Sequence, residues 1–363
     1  MSFILTFLGK GGVGRSTVAI AAAKRLASQG ERVLLVSADP SSSFDLLLGV
    51  SLSQEKQEIE TNLSAVQLRS THLLEVSWEQ VKQLEAEYLR SPTLKNVYGQ
   101  ELGILPGMDE ALALNAIREY DQSGKYDVII YDGANSFATL RMFGIPEMLN
   151  WYIRRFSQVL SESDVVKALS PFIQPITSAI LNVGWSSDDL NSNSTTKANQ
   201  MLEEGQKAVS DPRRVAAYLV TTTEPTAKAT AKYLWGSAQQ INLTVGGLIL
   251  NQAEISEEIA AEFAQIPVSN LPKTSDWLSL GQALPDFRQA VNSPKPLTID
   301  SAKGQVKVFL PGFTKQQVKL TQYGTELTVE AGDQRHNIYL PPTLKGKSVK
   351  GAKFQDNYLI ISL

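Results

Sequence analysis

One turn limits what this chain can fold into. Phe3-Ile4-Leu5-Thr6-Phe7-Leu8 is an apolar run that ends in Gly9-Lys10-Gly11-Gly12-Val13-Gly14-Arg15-Ser16-Thr17, and residues 18–27 then read as a helix. Strand, glycine loop and helix are the geometry of a phosphate cradle. Glycines let successive backbone N–H groups point inward, and the helix N-terminus adds its positive end. The Walker pattern is G-x-x-x-x-G-K-[ST]. From Gly9 this chain fits it with Arg15 in the lysine position, a second cation at Lys10, and Ser16 where a hydroxyl would ligand Mg²⁺. A tight turn opening a helix is the plainer reading. Four glycines, two cations and a hydroxyl at this spacing favour the nucleotide.

Length and composition bound the rest. At 363 residues, a prior of roughly 150 per domain gives two or three domains. Formal charge is -3, with 34 basic and 37 acidic residues, which argues against a bulk nucleic-acid or polybasic membrane surface. The chain has no cysteine, which excludes disulfides, thiolate catalysis and cysteine zinc sites. His72 and His336 leave little room for a histidine metal site. No apolar run is long enough to span a membrane, and the N-terminus enters the first strand directly. The expectation is a cytoplasmic protein without stable membrane insertion.

Arg32 to Ser37 is continuously apolar in character and leads to Asp39-Pro40, as a strand buried on both faces of a parallel sheet would. Ligands in such sheets sit beyond the carboxyl ends of strands. Asp39 could hold metal-bound water or orient the attacking one; its ordinary role is a cap for the helix from Ser43. Tyr126-Asp127-Val128-Ile129-Ile130-Tyr131-Asp132 is another strand ending in an acid. Residues 51–100 read as polar and helical. Glu101 to Ala111 reads as a loop entering a helix, with Asp109 and Glu110 suited to its first turn.

The loop resembles the deviant Walker A pattern G-K-G-G-V-G-K-[ST]-[ST] of the ArsA/Get3 group of P-loop ATPases. Lys10, Ser16 and Thr17 fit; Arg15 departs, keeping the charge on a bulkier planar fork. The resemblance implies ATP held by Gly9, Gly11, Gly12, Val13, Gly14, Arg15, Ser16 and Thr17. It also implies a homodimer in which Lys10 reaches the partner's nucleotide. Asp39-Pro40-Ser41-Ser42 lines up with the family's D-P-A-H switch I, with Ser42 for its histidine. Asp132 to Arg141 lines up with D-T-A-P-T-G-H-T-L-R of switch II. Asp132, Ala134, Thr139, Leu140 and Arg141 match, while Gly133, Asn135, Phe137 and Ala138 do not. By position Asp132 is similar to a Walker B aspartate, holding Mg²⁺ directly or through water. By the same resemblance Glu224 precedes a helix beside the dimer interface, Asn251 reads the adenine edge, and Pro267 lines the other side of the base. The C-x-x-C that binds interfacial zinc in several members is absent, so no zinc site is expected.

From Arg141 to about Ser210 methionine and aromatic residues are frequent, among them Met142, Phe143, Met148, Trp151, Tyr152, Phe156, Phe172 and Trp185. Such side chains line grooves for apolar helices or fill ordinary helix cores; the family's inserted helices favour the groove. The period then changes to short β runs. Leu310-Pro311-Gly312-Phe313, Leu327-Thr328-Val329, Leu340-Pro341 and residues 357–361 resemble an α-crystallin domain. This sandwich could bind client chains or pack on its own protein. The expected architecture is therefore an α/β parallel-sheet P-loop ATPase domain over 1–290. Helical client-groove elements fall within about 51–120 and 141–210, followed by a linker at 291–300 and a β-sandwich over 301–363. The chemistry the resemblance implies is in-line attack of water on the ATP γ-phosphate, with Arg15 and Lys10 stabilising charge, Ser16 holding Mg²⁺ and Asp39 orienting water. The role this resemblance leads one to expect is a chaperone or targeting factor for apolar segments. Two rivals remain: a nucleotide-gated scaffold with little hydrolysis, and an arsenite-pump subunit, which the absent thiols disfavour.

Overall fold

The structure, a computed structural model, describes residues 1–88, 107–162 and 193–363. Phe172 and Trp185 lie outside the described residues. The first strand, β1 (Phe3–Leu8), runs into helix α1 (Arg15–Ser28) through the glycine turn. Then come β2 (Val33–Ser37), α2 (Ser43–Leu48), β3 (Gln57–Glu60), β4 (Leu63–Gln67), α3 (Ser70–Tyr88), α4 (Met108–Gln122) and β5 (Val128–Asp132). The long helix α5 (Ser136–Glu162), α6 (Asn193–Ser210), β6 (Val215–Thr221), α7 (Pro225–Gln240) and β7 (Val245–Asn251) follow. α8 (Glu257–Glu262), β8 (Val268–Leu271) and α9 (Trp277–Ala283) complete this part.

Eight strands form one sheet in the order β3-β4-β2-β5-β1-β6-β7-β8. All pairs are parallel except the edge pair β3–β4. Parallel strands covered by helices on both sides need apolar residues on both faces. β1 supplies them alternately: Phe3, Leu5 and Phe7 enter the core under α1 and α9, while Ile4 and Leu8 enter the core under α4, α5 and α7. The chain crosses from one side of β1 to the other between β5 and β6, so the loop after β1 lies at the switch point where ligands of such sheets bind.

Two expectations change. Residues 51–68 are not helical: β3 and β4 extend the sheet there, and the helical reading holds over Ser70–Tyr88, while its remainder, 89–100, lies outside the described residues. Leu63, Ala65 and Val66 are fully buried, but small and mixed residues carry a weak strand signal. The second change is at the linker, where Leu297–Asp300 forms β9 and pairs antiparallel with β10 (Gln305–Phe309).

The C-terminal part is a β-sandwich. One sheet runs β14 (Gly351–Gln355), β15 (Tyr358–Ser362), β10, β9; the other joins β11 (Val318–Tyr323), β12 (Glu326–Ala331) and β13 (Gln334–Tyr339). Val306, Val308, Leu327, Val329, Ile338 and Ile361 close one core between them. This sandwich packs on α7. The buried Gln240 amide donates to the Ala331 carbonyl at 2.8 Å, and the Asp333 N–H donates to the Tyr233 hydroxyl at 2.9 Å. Trp235 meets Phe309 edge-on at 5.7 Å. From α5, the Trp151 indole N–H donates to Glu326 at 2.8 Å. Among the described residues no helix is long and apolar enough to cross a membrane.

Candidate nucleotide site

The strand order β2-β5-β1-β6-β7 sets five carboxyl ends side by side, at roughly 4.8 Å per strand. Asp39 follows β2, Asp132 ends β5, the glycine loop follows β1, Glu224 follows β6 and Asn251 ends β7. Residues far apart in sequence thus form one row. Pro267 is not in it. It precedes β8, and its carbonyl accepts from the Leu248 N–H in the middle of β7, three residues short of Asn251 at the carboxyl end. The structure does not bring Pro267 to the glycine loop, because a parallel strand brings its carboxyl end, not its start, to that edge.

The loop is fixed from behind and open in front. Gly14 caps α1 with φ 96°, a left-handed conformation that disfavours any side chain. The Asn251 amide donates to the Val13 carbonyl at 2.9 Å and lies against Gly14. Gly9 lies against the Val220 carbonyl, where a side chain would collide. By contrast, Cβ atoms built at Gly11 and Gly12 would meet nothing within 4 Å. That side of the loop is exposed main chain that an anion can approach closely.

The metal end is defined by one hydrogen bond. Ser16 Oγ donates to Asp132 Oδ2 at 2.6 Å. Asp132 is buried, and burial pushes its carboxyl above the usual range against the pull of Ser16 and Arg15; the nearby Asp39 pushes it the same way. Its Oδ1 is buried with no hydrogen-bond partner. A buried carboxylate in this condition keeps a proton or holds a cation. The hydroxyl and the free carboxylate oxygen are hard oxygen donors, so they fit Mg²⁺. That ion takes few protein ligands and fills its shell with water and phosphate. Among the described residues no group of three or more His, Cys, Asp or Glu could hold a metal by itself.

The flanking charges are placed on either side. Asp39 Oδ1 accepts from the Ser41 N–H at 2.9 Å and Oδ2 from the Ser43 hydroxyl at 2.7 Å. Burial raises its pKa, but the Ser43 and Ser41 bonds and the Arg15 charge hold it below the usual carboxylate range. Asp39 therefore shapes the turn before α2 and also stands ionised beside the loop. Lys10 Nζ donates to Thr226 Oγ1 at 2.5 Å and pairs with Glu224 at 3.1 Å in the same chain. The Thr226 hydroxyl, then Lys10, hold Glu224 below its ordinary pKa. The pair is exposed, and exposed pairs exchange at little cost.

Sequence reasoning missed Ser136. Its buried hydroxyl accepts from the Gly9 N–H and donates to the Gly9 carbonyl, both at 2.9 Å. The first residue of α5 is thereby fastened to the first glycine of the loop. Only the alignment of switch II pointed at this position, without a role. The switch II stretch also meets the first turn of α4: Arg141 of α5 pairs with Glu110 of α4 at 2.9 Å.

Chemically the site is a place for a nucleoside triphosphate, and the class it defines is the P-loop nucleotide hydrolases. The chain belongs to the anion-transporting ATPase family, whose model matches residues 1–270. A second family model, the HSP20-like domain found in ArsA, matches residues 302–363. The chain is similar to a candidate arsenical pump-driving ATPase of Chlorobaculum tepidum, 27% identical over 390 residues covering 99% of this chain and 95% of that one. A counterpart in Aquifex aeolicus is 23% identical over 400 residues, covering 99% of each. The ATPase GET3 of Malassezia globosa is 30% identical over 172 residues, 47% of this chain and 48% of that protein. The protein is thus an ATP-binding and ATP-hydrolysing member of the ArsA/Get3 group with an HSP20-like C-terminal domain.

Proposed function

We propose that the protein is a homodimeric ATPase that captures apolar protein segments and couples their binding to ATP. The ATP half rests on the glycine loop with the Ser16–Asp132 pair beneath it. The client half rests on one observation, an apolar cavity of about 160 Å³ between α4, α5 and α6. Leu114, Phe143, Leu149, Met201 and Leu202 line it. Met148 and Tyr152, on the same helix α5, are exposed.

In this reading the loop amides and Arg15 take the phosphates, and Ser16 with Asp132 would hold Mg²⁺. Bound there, the ion would neutralise charge on the phosphate oxygens. Asp39, ionised and fixed by Ser41 and Ser43, orients the attacking water. Lys10 leaves Glu224 for the partner's triphosphate, so two nucleotides join two subunits. Glu224 stays beside that junction, and Asn251 braces the loop while its Oδ1 remains for the base. The metalloid-pump role named for some relatives needs thiolates in the ArsA resemblance, and this chain has no cysteine.

Light scattering behind size exclusion, with and without Mg-ATP and an apolar helical peptide, tests the assembly. A two-subunit species that retains peptide with nucleotide is expected. A lone subunit, or a dimer that never retains peptide, overturns the client reading. Phosphate release by wild type against Asp39→Asn tests the chemistry. A loss of about 100-fold or more is expected, with nucleotide binding kept.

A further inference from the structure

Arg15 stands where the family's pattern has lysine, and its guanidinium turns to switch II. Nη1 donates to the Gly133 carbonyl at 3.2 Å and Nη2 to the Ala134 carbonyl at 3.2 Å. Nη1 is also 3.5 Å from Ser136 Oγ. The acceptors are two consecutive backbone carbonyls and a hydroxyl, none of them charged. Among the described residues Arg15 forms no ion pair within 4.0 Å. Its charge is left for an anion, and its plane is committed to a stretch of main chain.

We propose that Arg15 is a positioning residue whose guanidinium fork fastens residues 133–134 to the glycine loop, so that the loop and the end of β5 move as one piece. This rests on the ATPase reading above and adds to it the reason for arginine.

The geometry carries the inference in three steps. First, Gly133 is buried, and its carbonyl needs a partner; Arg15 supplies one. No side chain at residue 133 can take over that work, because a Cβ there would collide with Thr139 Oγ1. Second, the fork is rigid and planar, with five N–H donors. Two serve adjacent carbonyls and a third the Ser136 hydroxyl, which leaves two for phosphate oxygens, so one group joins substrate and switch. A lysine is a point charge on a flexible stem and cannot hold two divergent carbonyls and a phosphate in one plane. Third, residues 133–134 lie directly between Asp132 and Ser136. Asp132 accepts from Ser16 of the loop, and Ser136 is bonded to Gly9. The segment is thus tied to the loop at both ends, and Arg15 ties its middle. Slack there would displace the Asp132 carboxylate, and displacement on the order of 1 Å costs about 100-fold in rate.

Arg15→Lys separates positioning from charge, since it keeps the cation and loses the fork. Two measurements are made on the full chain. Amide hydrogen exchange over residues 133–140 is followed without nucleotide, where no phosphate contact enters. Steady-state ATPase parameters and Mg-ADP affinity are measured in parallel. The expected result is exchange faster by about 10-fold in the variant. Affinity should stay within about 3-fold, with kcat lowered about 10-fold or more. Equal exchange in the two proteins, or a variant kcat within about 2-fold of wild type, overturns the proposal. If Arg15 acted on phosphate alone, lysine would restore kcat. Should wild type hydrolyse no ATP, the functional reading fails, and the exchange measurement still decides the role of Arg15.

Discussion

Gly14 and Asn251 constrain each other. Gly14 holds φ 96°, which costs an L-residue about 1–2 kcal/mol. A Cβ there would also press on the Asn251 amide, which is bonded to Val13. Gly14→Ala is therefore expected to destabilise by about 3 kcal/mol. Adding Asn251→Ala should relieve the collision but not the backbone strain, so the two changes will be less than additive by about 1 kcal/mol. Urea unfolding of the two single variants and the double variant measures this; strict additivity would show that the contact does not exist. Ser136→Ala strips a buried donor and acceptor from Gly9 and is expected to cost about 2–3 kcal/mol in the same assay. Stability within about 0.5 kcal/mol of wild type would mean water replaces the hydroxyl at no cost. Most of the row at the sheet's edge was legible because an acid or amide ending an apolar run is a pattern within one segment. Ser136 was not, because its meaning lies in a bond to Gly9, and no local pattern reports a partner that distant in sequence.

Helix α7 explains the glycine of the segment that marks the tail as α-crystallin-like. The Pro311 carbonyl and the Phe313 ring sit on Gly236, and Gly312, at φ 77°, lies against the Lys232 backbone. Leu310 and Phe313 belong to the sandwich core, while Phe313 also meets Tyr233 edge-on at 5.6 Å. The turn is thus a docking surface fitted to a helix with a gap in its side-chain row. Alanine in place of glycine inside a helix ordinarily stabilises, by about 1 kcal/mol. Here the added methyl would enter a backbone carbonyl that cannot swing away, so the sign reverses. Gly236→Ala is expected to lose about 1–3 kcal/mol and to speed proteolysis between α9 and β10. A gain in melting temperature would show that the sandwich does not sit on α7 in solution. The same elements show what patterns can and cannot deliver. β1, β2 and β5 announced themselves through continuous apolar runs, and β10 to β13 and β15 through alternation; β14, Gly351-Ala352-Lys353-Phe354-Gln355, did not, having one large apolar residue. β4 did not either, since Ser64 and Gln67 interrupt a stretch of only five residues. β9 begins beside Pro296 in a stretch whose strand character appears only once β10 pairs with it.

At the scale of the molecule, the two domains also meet through a polar cluster whose charge depends on pH. Glu147 of α5 accepts from the Asn242 amide at 3.0 Å, and His336 of β13 lies 3.2 Å from that amide and 3.7 Å from Glu147. Burial pushes Glu147 up to about 7 and His336 down to about 4, so between those values both are neutral and the close pair is not an ion pair. Arg154, Glu203 and Lys207 line the cavity beside them; of these, the Arg154 charge pulls Glu147 downward. The signs of the two linkages are opposite. Glu147 has a folded pKa above its unfolded one, so its contribution is full below about 4.5 and falls away as pH rises to about 7, by about 3 kcal/mol. His336 has a folded pKa below its unfolded one, so stability rises between about 4 and 6.5 by a similar amount. In wild type the two slopes oppose each other over most of the acid range. Glu147→Gln keeps an acceptor for Asn242 and removes one slope. The variant should therefore gain on wild type progressively between pH 4.5 and 7, by about 3 kcal/mol at the upper end. Urea midpoints across that range decide it. Curves that stay parallel would mean Glu147 ionises as freely in the folded protein as in the unfolded chain. That would require water in the cluster, and hence a looser seat for the sandwich on α5 than these contacts describe.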